Sequence, residues 1–220
     1  MKLRWAVVVV VACGAFAGES ARAAMMITEW AYQGSGSEFV EFTNTGTSAV
    51  DMTGWSFDDN SGIAGSVSLS SFGLVAPGES VVLTDLTATA FRTEWGLSTA
   101  AKVIGDNLQN LGRSDEINLY DSVGTRIDWL AYDDQAIGGP RTNLASANPG
   151  SLAAVGTHDV LQWVLSTPGD LYSSYTSASG GIGNPGLFAM TPEPGSALLA
   201  VLAGMGLLFA SRRRRSSGSV

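Results

Sequence analysis

Residues 38–59, EFVEFTNTGTSAVDMTGWSFDD, decide the predicted fold because they alone carry a complete β-motif. Val40 and Phe42 alternate with polar side chains, and this two-residue period is typical of a half-buried strand. An Asn-Thr-Gly turn then allows the chain to reverse, since Asn and Gly tolerate positive φ. Gly54 lies where a bulge would interrupt the return strand before Phe57. The stretch therefore predicts a β-hairpin with a large aromatic content.

Short alternating stretches follow at intervals of about eight to twelve residues, which is the spacing of turn signals in a β-sandwich. Residues 87–95 are the helical exception, because Thr87 can cap a helix in which Phe91 and Trp95 share one face. Gly96 would end that helix. The predicted core consists of Val40, Phe42, Trp55, Phe57, Leu83, Ile117 and Leu119.

This pattern resembles the lamin tail domain, a family of immunoglobulin-like β-sandwiches found in nuclear lamins and in bacterial exported proteins. The resemblance extends over roughly residues 26–133 and implies an antiparallel β-sandwich, here assigned to residues 24–135, without a common catalytic site. The residues that carry it are 27–29, 38–44, 50–57, 74–85 and 115–121, with Gly124, Ile127 and Asp128.

Residues 136–191 are richer in glycine, serine, asparagine and proline. An apolar run at residues 160–165 predicts a short strand or closing segment. The glycine-rich residues 180–186 have the composition of a flexible or extended linker. The sequence thus places a closing segment and a linker after the sandwich.

The charge is distributed unevenly along the chain. Only Glu19 and Glu193 of the 20 acidic residues lie outside the central part, whereas seven of the 12 basic residues do, so that 18 acidic residues face 5 basic ones there. The central domain therefore carries about −13. Such a surface repels nucleic-acid phosphate, and we expect no nucleic-acid partner although some lamin tails bind DNA.

The N-terminus has the features of a secretory signal peptide over residues 1–23. Lys2 and Arg4 precede an apolar run of thirteen residues, which is too short to span a bilayer. Ala21 and Ala23 fit the small-residue rule for cleavage, so we predict that the mature chain begins after Ala23.

An alternative is a lipoprotein box in which Cys13 is lipidated and retained. Ordinary cleavage would remove Cys13, the only cysteine of the chain. The mature protein could then form no disulfide, and its core alone would supply the stability.

The C-terminus combines a short motif, an apolar stretch and a basic cluster. Pro192, Glu193 and Pro194 precede an uncharged stretch that predicts a transmembrane helix over about 196–211. The positive-inside rule places the basic cluster in the cytoplasm and the rest of the chain outside the inner membrane. The cluster consists of Arg212, Arg213, Arg214 and Arg215.

This combination, over residues 192–215, resembles the PEP-CTERM sorting tail of Gram-negative bacteria. The resemblance implies that Pro192, Glu193 and Pro194 are recognised by an exosortase, a membrane-embedded cysteine enzyme. The protein would be held at the inner membrane and then carried to the cell surface. An ordinary C-terminal anchor is the alternative.

Catalytic and metal sites find little support. His158 is the only histidine, and its position beside Asp159 predicts a solvated loop residue. Adjacent carboxyl pairs point to opposite faces of a strand and cannot act on one substrate. Calcium is the candidate cation, with hard oxygen ligands at Asp58, Asp59 and Asn60, but the spacing differs from a D-x-D-x-D-G loop. No other cofactor is expected.

These features favour an exported non-catalytic protein of the cell surface or biofilm matrix, whose β-sandwich mediates adhesion or assembly. Extracellular polysaccharide is a candidate partner. A carbohydrate- or calcium-binding module is the alternative, and the carbohydrate version requires an exposed platform of Trp30, Tyr32, Trp129 and Tyr132. A secreted hydrolase is the weakest interpretation, because no nucleophile or metal set supports it.

Overall fold

The computed structural model describes residues 25–189. The predicted signal peptide with Ala21 and Ala23, the lipoprotein alternative at Cys13, and the whole of residues 192–215 lie outside this range. Among the described residues, no helix combines the length and the apolar character needed to cross a membrane.

The described residues form short strands and one α-helix. The helix, α1, spans Ala88–Glu94, and 3₁₀ turns occur at Ser70–Phe72, Leu152–Ala154 and Val160–Gln162. The strands are β1 Met25–Ala31, β2 Phe39–Asn44, β3 Val50–Asp51, β4 Ser56–Asp58, β5 Val67–Ser68, β6 Leu74–Val75, β7 Ser80–Thr84, β8 Lys102–Ile104, β9 Ser114–Tyr120, β10 Arg126–Asp133, β11 Ala147–Pro149, β12 Trp163–Leu165, β13 Tyr175–Thr176 and β14 Ile182–Gly183.

Two main sheets enclose the core. The larger sheet has the order β12-β11-β1-β2-β7-β8, and the smaller has the order β10-β9-β4-β5. One apolar cluster joins inward side chains of both sheets. Six of the seven predicted core residues are buried in that cluster, and Trp55 is partly buried against it. The all-β sandwich class is therefore confirmed.

The predicted hairpin of residues 38–59 is wrong. Strand β2 pairs with β1 and β7, whereas β3 pairs with β6 and β4 pairs with β9 and β5. A turn closed by the Trp55 N–H on the Met52 carbonyl, 3.0 Å apart, carries the chain from β3, which forms a separate two-stranded sheet with β6, to β4 in the smaller main sheet. Gly54 has φ +80° in this turn, so glycine is favoured there. Phe42 and Phe57 therefore contribute to one core from opposite sheets.

The sandwich is also not wholly antiparallel, because β7 and β8 run parallel. Parallel neighbours need a crossover, and α1 provides it. The predicted helix is confirmed: Thr87 accepts the Ala90 N–H at 3.1 Å, and Gly96 follows the C-cap with φ +61°. Phe91 and Trp95 pack with Phe39 on the outer face of the larger sheet.

The chain after residue 135 belongs to the sandwich, which corrects both the predicted boundary and the linker. Strand β11 pairs with β1, and β12 pairs with β11. The expected linker at residues 180–186 contains β14, which pairs with β13 and bridges Ala145. Small residues are needed here because the backbone approaches its neighbours closely: a Cβ at Gly181 would lie 2.6 Å from the Gly36 nitrogen. The apolar run predicted at residues 160–165 contains β12, and we give the name closing segment only to residues 166–189, which follow it.

Candidate functional site

The predicted calcium ligands form a hydrogen-bonded turn. Asp58 is buried at the end of β4, and its carboxylate accepts the Ser61 hydroxyl at 2.8 and 2.9 Å, the Ile63 N–H at 2.9 Å and the Gln109 amide at 3.3 Å. These donors compete with a cation for the same oxygen lone pairs. Within residues 25–189, no group of three His, Cys, Asp or Glu side chains is placed to hold a metal ion. The geometry favours a structural role for Asp58.

Asp59 and Asn60, the other two predicted ligands, lie in the same turn. Asp59 accepts the Ser61 N–H at 3.3 Å, and Asn60 is exposed at the tip of the turn. This arrangement is an Asx-type turn, in which a carboxylate replaces a backbone acceptor. Both Asp58 and Asp59 therefore act as hydrogen-bond acceptors within this turn.

The four aromatic residues do not form an exposed platform. Trp30, Tyr32 and Tyr132 are 0%, 8% and 2% exposed, and the Trp30 and Tyr132 rings stack with centroids 4.0 Å apart. They fill the space between the two sheets, since β1 and β10 contribute to the same core. Trp129 lies apart from them and is partly exposed. The carbohydrate-binding interpretation therefore loses the feature it required.

Asp128, on the edge strand β10 of the smaller sheet, forms a pair with His158 that the sequence did not indicate. The His158 Nδ1 atom is 3.2 Å from Asp128 Oδ1 and 2.8 Å from the Trp129 carbonyl oxygen. The His158 ring stacks on Trp129 with centroids 4.6 Å apart and planes within 8°. Burial raises the pKa of the Asp128 carboxyl, although hydrogen bonds from the backbone N–H groups of Ile27 and Trp129 oppose this. His158 is therefore an anchored residue and not the solvated one predicted.

The bonds of this pair are those of a structural clamp. Asp128 accepts the Ile27 N–H at 2.9 Å, at the point where the register of β1 shifts, and thereby ties the two sheets together. The contacts of His158 cover the outer edge of β10, an edge that would otherwise expose unpaired backbone groups. Within residues 25–189, His158 Nδ1 contacts Asp128 and the Trp129 carbonyl oxygen, whereas a hydrolytic triad needs a hydroxyl or thiol hydrogen-bonded to the imidazole.

A second set of buried polar side chains lies between the outer face of the larger sheet and the closing segment, and both contribute to it. Each member is at most 7% exposed, although the alternation in β2 suggested a face turned to solvent. We call this set the polar layer. It consists of Thr28, Glu29, Glu41, Thr43, Ser80, Ser146, Asn148, Ser166, Ser174 and Asn184.

Two carboxyls dominate the polar layer. Glu29 and Glu41 are direct cross-strand partners on β1 and β2, and both are fully buried. Glu29 accepts the Ser146 hydroxyl and the Asn184 N–H, whereas its Oε2 atom has no hydrogen-bond partner among residues 25–189. Burial raises the pKa of Glu41 to about 7, and burial together with the charge of Glu41 raises the pKa of Glu29 well above its usual value. Both carboxyls are therefore held in an environment that favours their protonated form.

Gly183 allows the closing segment to rest on this layer. A Cβ at this position would lie 2.6 Å from Glu29 Oε1 and 2.9 Å from Ser146 Oγ. We expect Gly183→Ala to displace the segment and to lower the free energy of unfolding by about 1 to 3 kcal/mol, as overpacking does. Urea titration measures this loss. The control Gly112→Ala, whose Cβ would lie 3.2 Å from the Asp115 carboxylate and 3.5 Å from the Ser114 carbonyl oxygen, should cost less, and equal losses would contradict the assigned role of Gly183.

Comparison with known proteins agrees with this architecture. A search of curated proteins gave no match. The family model described as Lamin Tail Domain matches residues 19–134, which is more than half of the 220 residues. The match covers the strands from β1 to β10 and most of the core between the sheets, whereas Ala147, Val160 and Trp163 of that core lie beyond it. The chain therefore belongs to the lamin tail domain family, whose sandwich serves as a structural module.

Proposed function

We propose that this protein is an exported, non-catalytic component of the cell surface or extracellular matrix, whose lamin tail sandwich mediates adhesion or assembly. An exosortase sorts it by its C-terminal tail. The observation that carries the proposal is the order of three features: Pro192, Glu193 and Pro194, then an uncharged stretch, then four arginines. A predicted export signal at the other end of the same chain supports it.

The tail works in this proposal as a temporary anchor. An uncharged stretch is costly to expose to water, and the four arginines fix its direction and resist translocation. Cleavage near residues 192–194 then releases the domain outside the inner membrane. The released domain has a strongly acidic surface, which keeps it soluble and suits contact with cations or basic groups of the matrix.

Mass spectrometry of the surface fraction tests the sorting step. We expect the recovered protein to end near Pro194 and to lack residues 196–220. Glu193→Gln should leave membrane insertion intact and block processing, because the carboxylate of the motif is lost. Neutral replacements of the four arginines should instead weaken retention at the membrane.

Glu116→Gln is the matched control, since it removes a carboxyl from the domain and leaves the tail unchanged. Its processing should equal that of the wild-type chain. Surface protein that still carries residues 196–220 would show that the tail is an ordinary anchor.

A further inference from the structure

The closing segment is attached to the larger sheet through the two buried glutamates. The Asn184 N–H donates to Glu29 Oε1 at 2.8 Å, and the Gly186 N–H donates to Glu41 Oε2 at 2.7 Å. These two donors come from the same short stretch of the segment, and both acceptors come from neighbouring strands. The protonation state of the two carboxyls therefore affects how firmly the closing segment is held on the sheet.

No cation balances these carboxyls within residues 25–189, because neither glutamate takes part in an ion pair there. The charged groups that act most strongly on Glu29 are Glu41 and Asp170, which are both acids. Tyr175, on the closing segment, also faces the pair. Burial, together with the charges of Glu29 and Glu41, raises the pKa of its phenol to about 12. The remaining neighbours are hydroxyls and backbone N–H groups, which soften but do not remove the cost of burying two negative charges.

We propose that Glu29 and Glu41 form a proton-controlled latch: the closing segment stays on the sheet while the pair holds protons, and it opens when both carboxyls are ionised. Opening relieves the repulsion by admitting water to both carboxyls. The closing segment is the part that gives way, because its own strands β13 and β14 contain two residues each and form a sheet of their own. The strands beneath it are held in a six-stranded sheet.

The direction of the pH dependence follows from linkage. Each carboxyl has a higher pKa in the closed state than in the open one, so the closed state binds more protons and opening becomes easier as pH rises. For Glu41 the pKa changes from its ordinary value of 4.5 in the open state to about 7 in the closed state, and the pKa of Glu29 changes in the same direction. Within this window the opening constant should rise about tenfold per pH unit for each carboxyl that ionises on opening.

Hydrogen exchange of the full chain in detergent micelles, followed by mass spectrometry, measures this opening. Peptides from residues 174–189 should lose protection between about pH 5.5 and about pH 8, after correction for the intrinsic exchange rate, while peptides from β9 and β10 keep theirs. Glu29→Gln and Glu41→Gln should each make the rise of the opening constant smaller by a factor of about ten per pH unit, because each variant removes one ionisation. Glu38→Gln is the matched control, because it removes another buried carboxyl that does not contact the closing segment.

Three results would overturn the latch. The first is equal protection of residues 174–189 at both pH values in the wild-type chain, which tests the idea even where a variant does not fold. The second is a loss of protection that the Gln variants leave unchanged. The third is protection at about pH 8 that is lost with EDTA and restored by Ca²⁺ or Mg²⁺, which would identify the pair as a cation site.

Discussion

Replacing Phe42 with alanine should lower the free energy of unfolding by about 3 to 5 kcal/mol. Phe42 is 0% exposed in the middle of β2, between β1 and β7, and its ring belongs to the core that both sheets share. The substitution leaves a cavity that rigid neighbouring strands cannot close. A loss of this size is a large fraction of the stability of an ordinary domain, so we expect the variant to be isolated in folded form only at low temperature.

Denaturant titration of both chains measures the effect. Val123→Ala is the control, because Val123 is 82% exposed and its loss should change stability by less than about 0.5 kcal/mol. A loss below about 1 kcal/mol for Phe42→Ala would mean that the side chain is not part of the core.

The second large effect is expected for Glu38→Gln, and it depends on pH. Burial raises the pKa of Glu38 to about 8, the Leu111 N–H opposes this, and Asp85 and Asp115 add to the rise. Because the folded state holds a proton that the unfolded state releases, stability is greatest at low pH and falls as pH rises from about 4.5 to about 8. Glutamine keeps an acceptor for Leu111 and carries no charge. At about pH 9 the variant should be more stable than the wild type by on the order of 2 kcal/mol, after allowing for partial solvent screening.

Urea titrations near pH 5 and near pH 9 test this difference, which should nearly vanish at the lower pH. Glu94→Gln supplies a comparison of opposite sign, since hydrogen bonds from Ser177 and Ser179 lower the pKa of Glu94. Its contribution is present at neutral pH and is lost on acidification. If Glu38→Gln were less stable than the wild type at pH 9, the carboxyl would be stabilising in its ionised form.

Local sequence patterns predicted the elements but not their partners. Alternation identified β2, β9 and β10 and the core residues on them, because a two-residue period requires only local backbone geometry. The same pattern gave no information on which strand pairs with which. The apparent hairpin of residues 38–59 therefore contributes to both sheets, and the parallel β7–β8 pair depends on where α1 packs.

The buried polar sites could not be predicted for a related reason. Glu41 stands between Val40 and Phe42, so its pattern is that of a solvent-facing residue until a cover is known. That cover is the closing segment, and its glycine-rich composition is also typical of a linker. Asp128 and His158 lie 30 positions apart, and only the packing of the loop at residues 155–159 against β10 brings them together. In each case the missing information is a long-range contact.

Under the proposed membrane anchoring, the docking of the closing segment would limit how far the folded domain can stand from the membrane. Phe188 stacks on Tyr172 with ring centroids 4.9 Å apart, so at most four residue steps separate the docked segment from Pro192. Covalent geometry limits that distance to about 14 Å. Under the proposed sorting, a protease that cleaves at residues 192–194 would therefore work almost against the protein surface. Release of the segment from residue 166 would lengthen this connection by about 22 residues, or about 70 Å at full extension, so that proton loss from Glu29 and Glu41 would extend the reach of the domain.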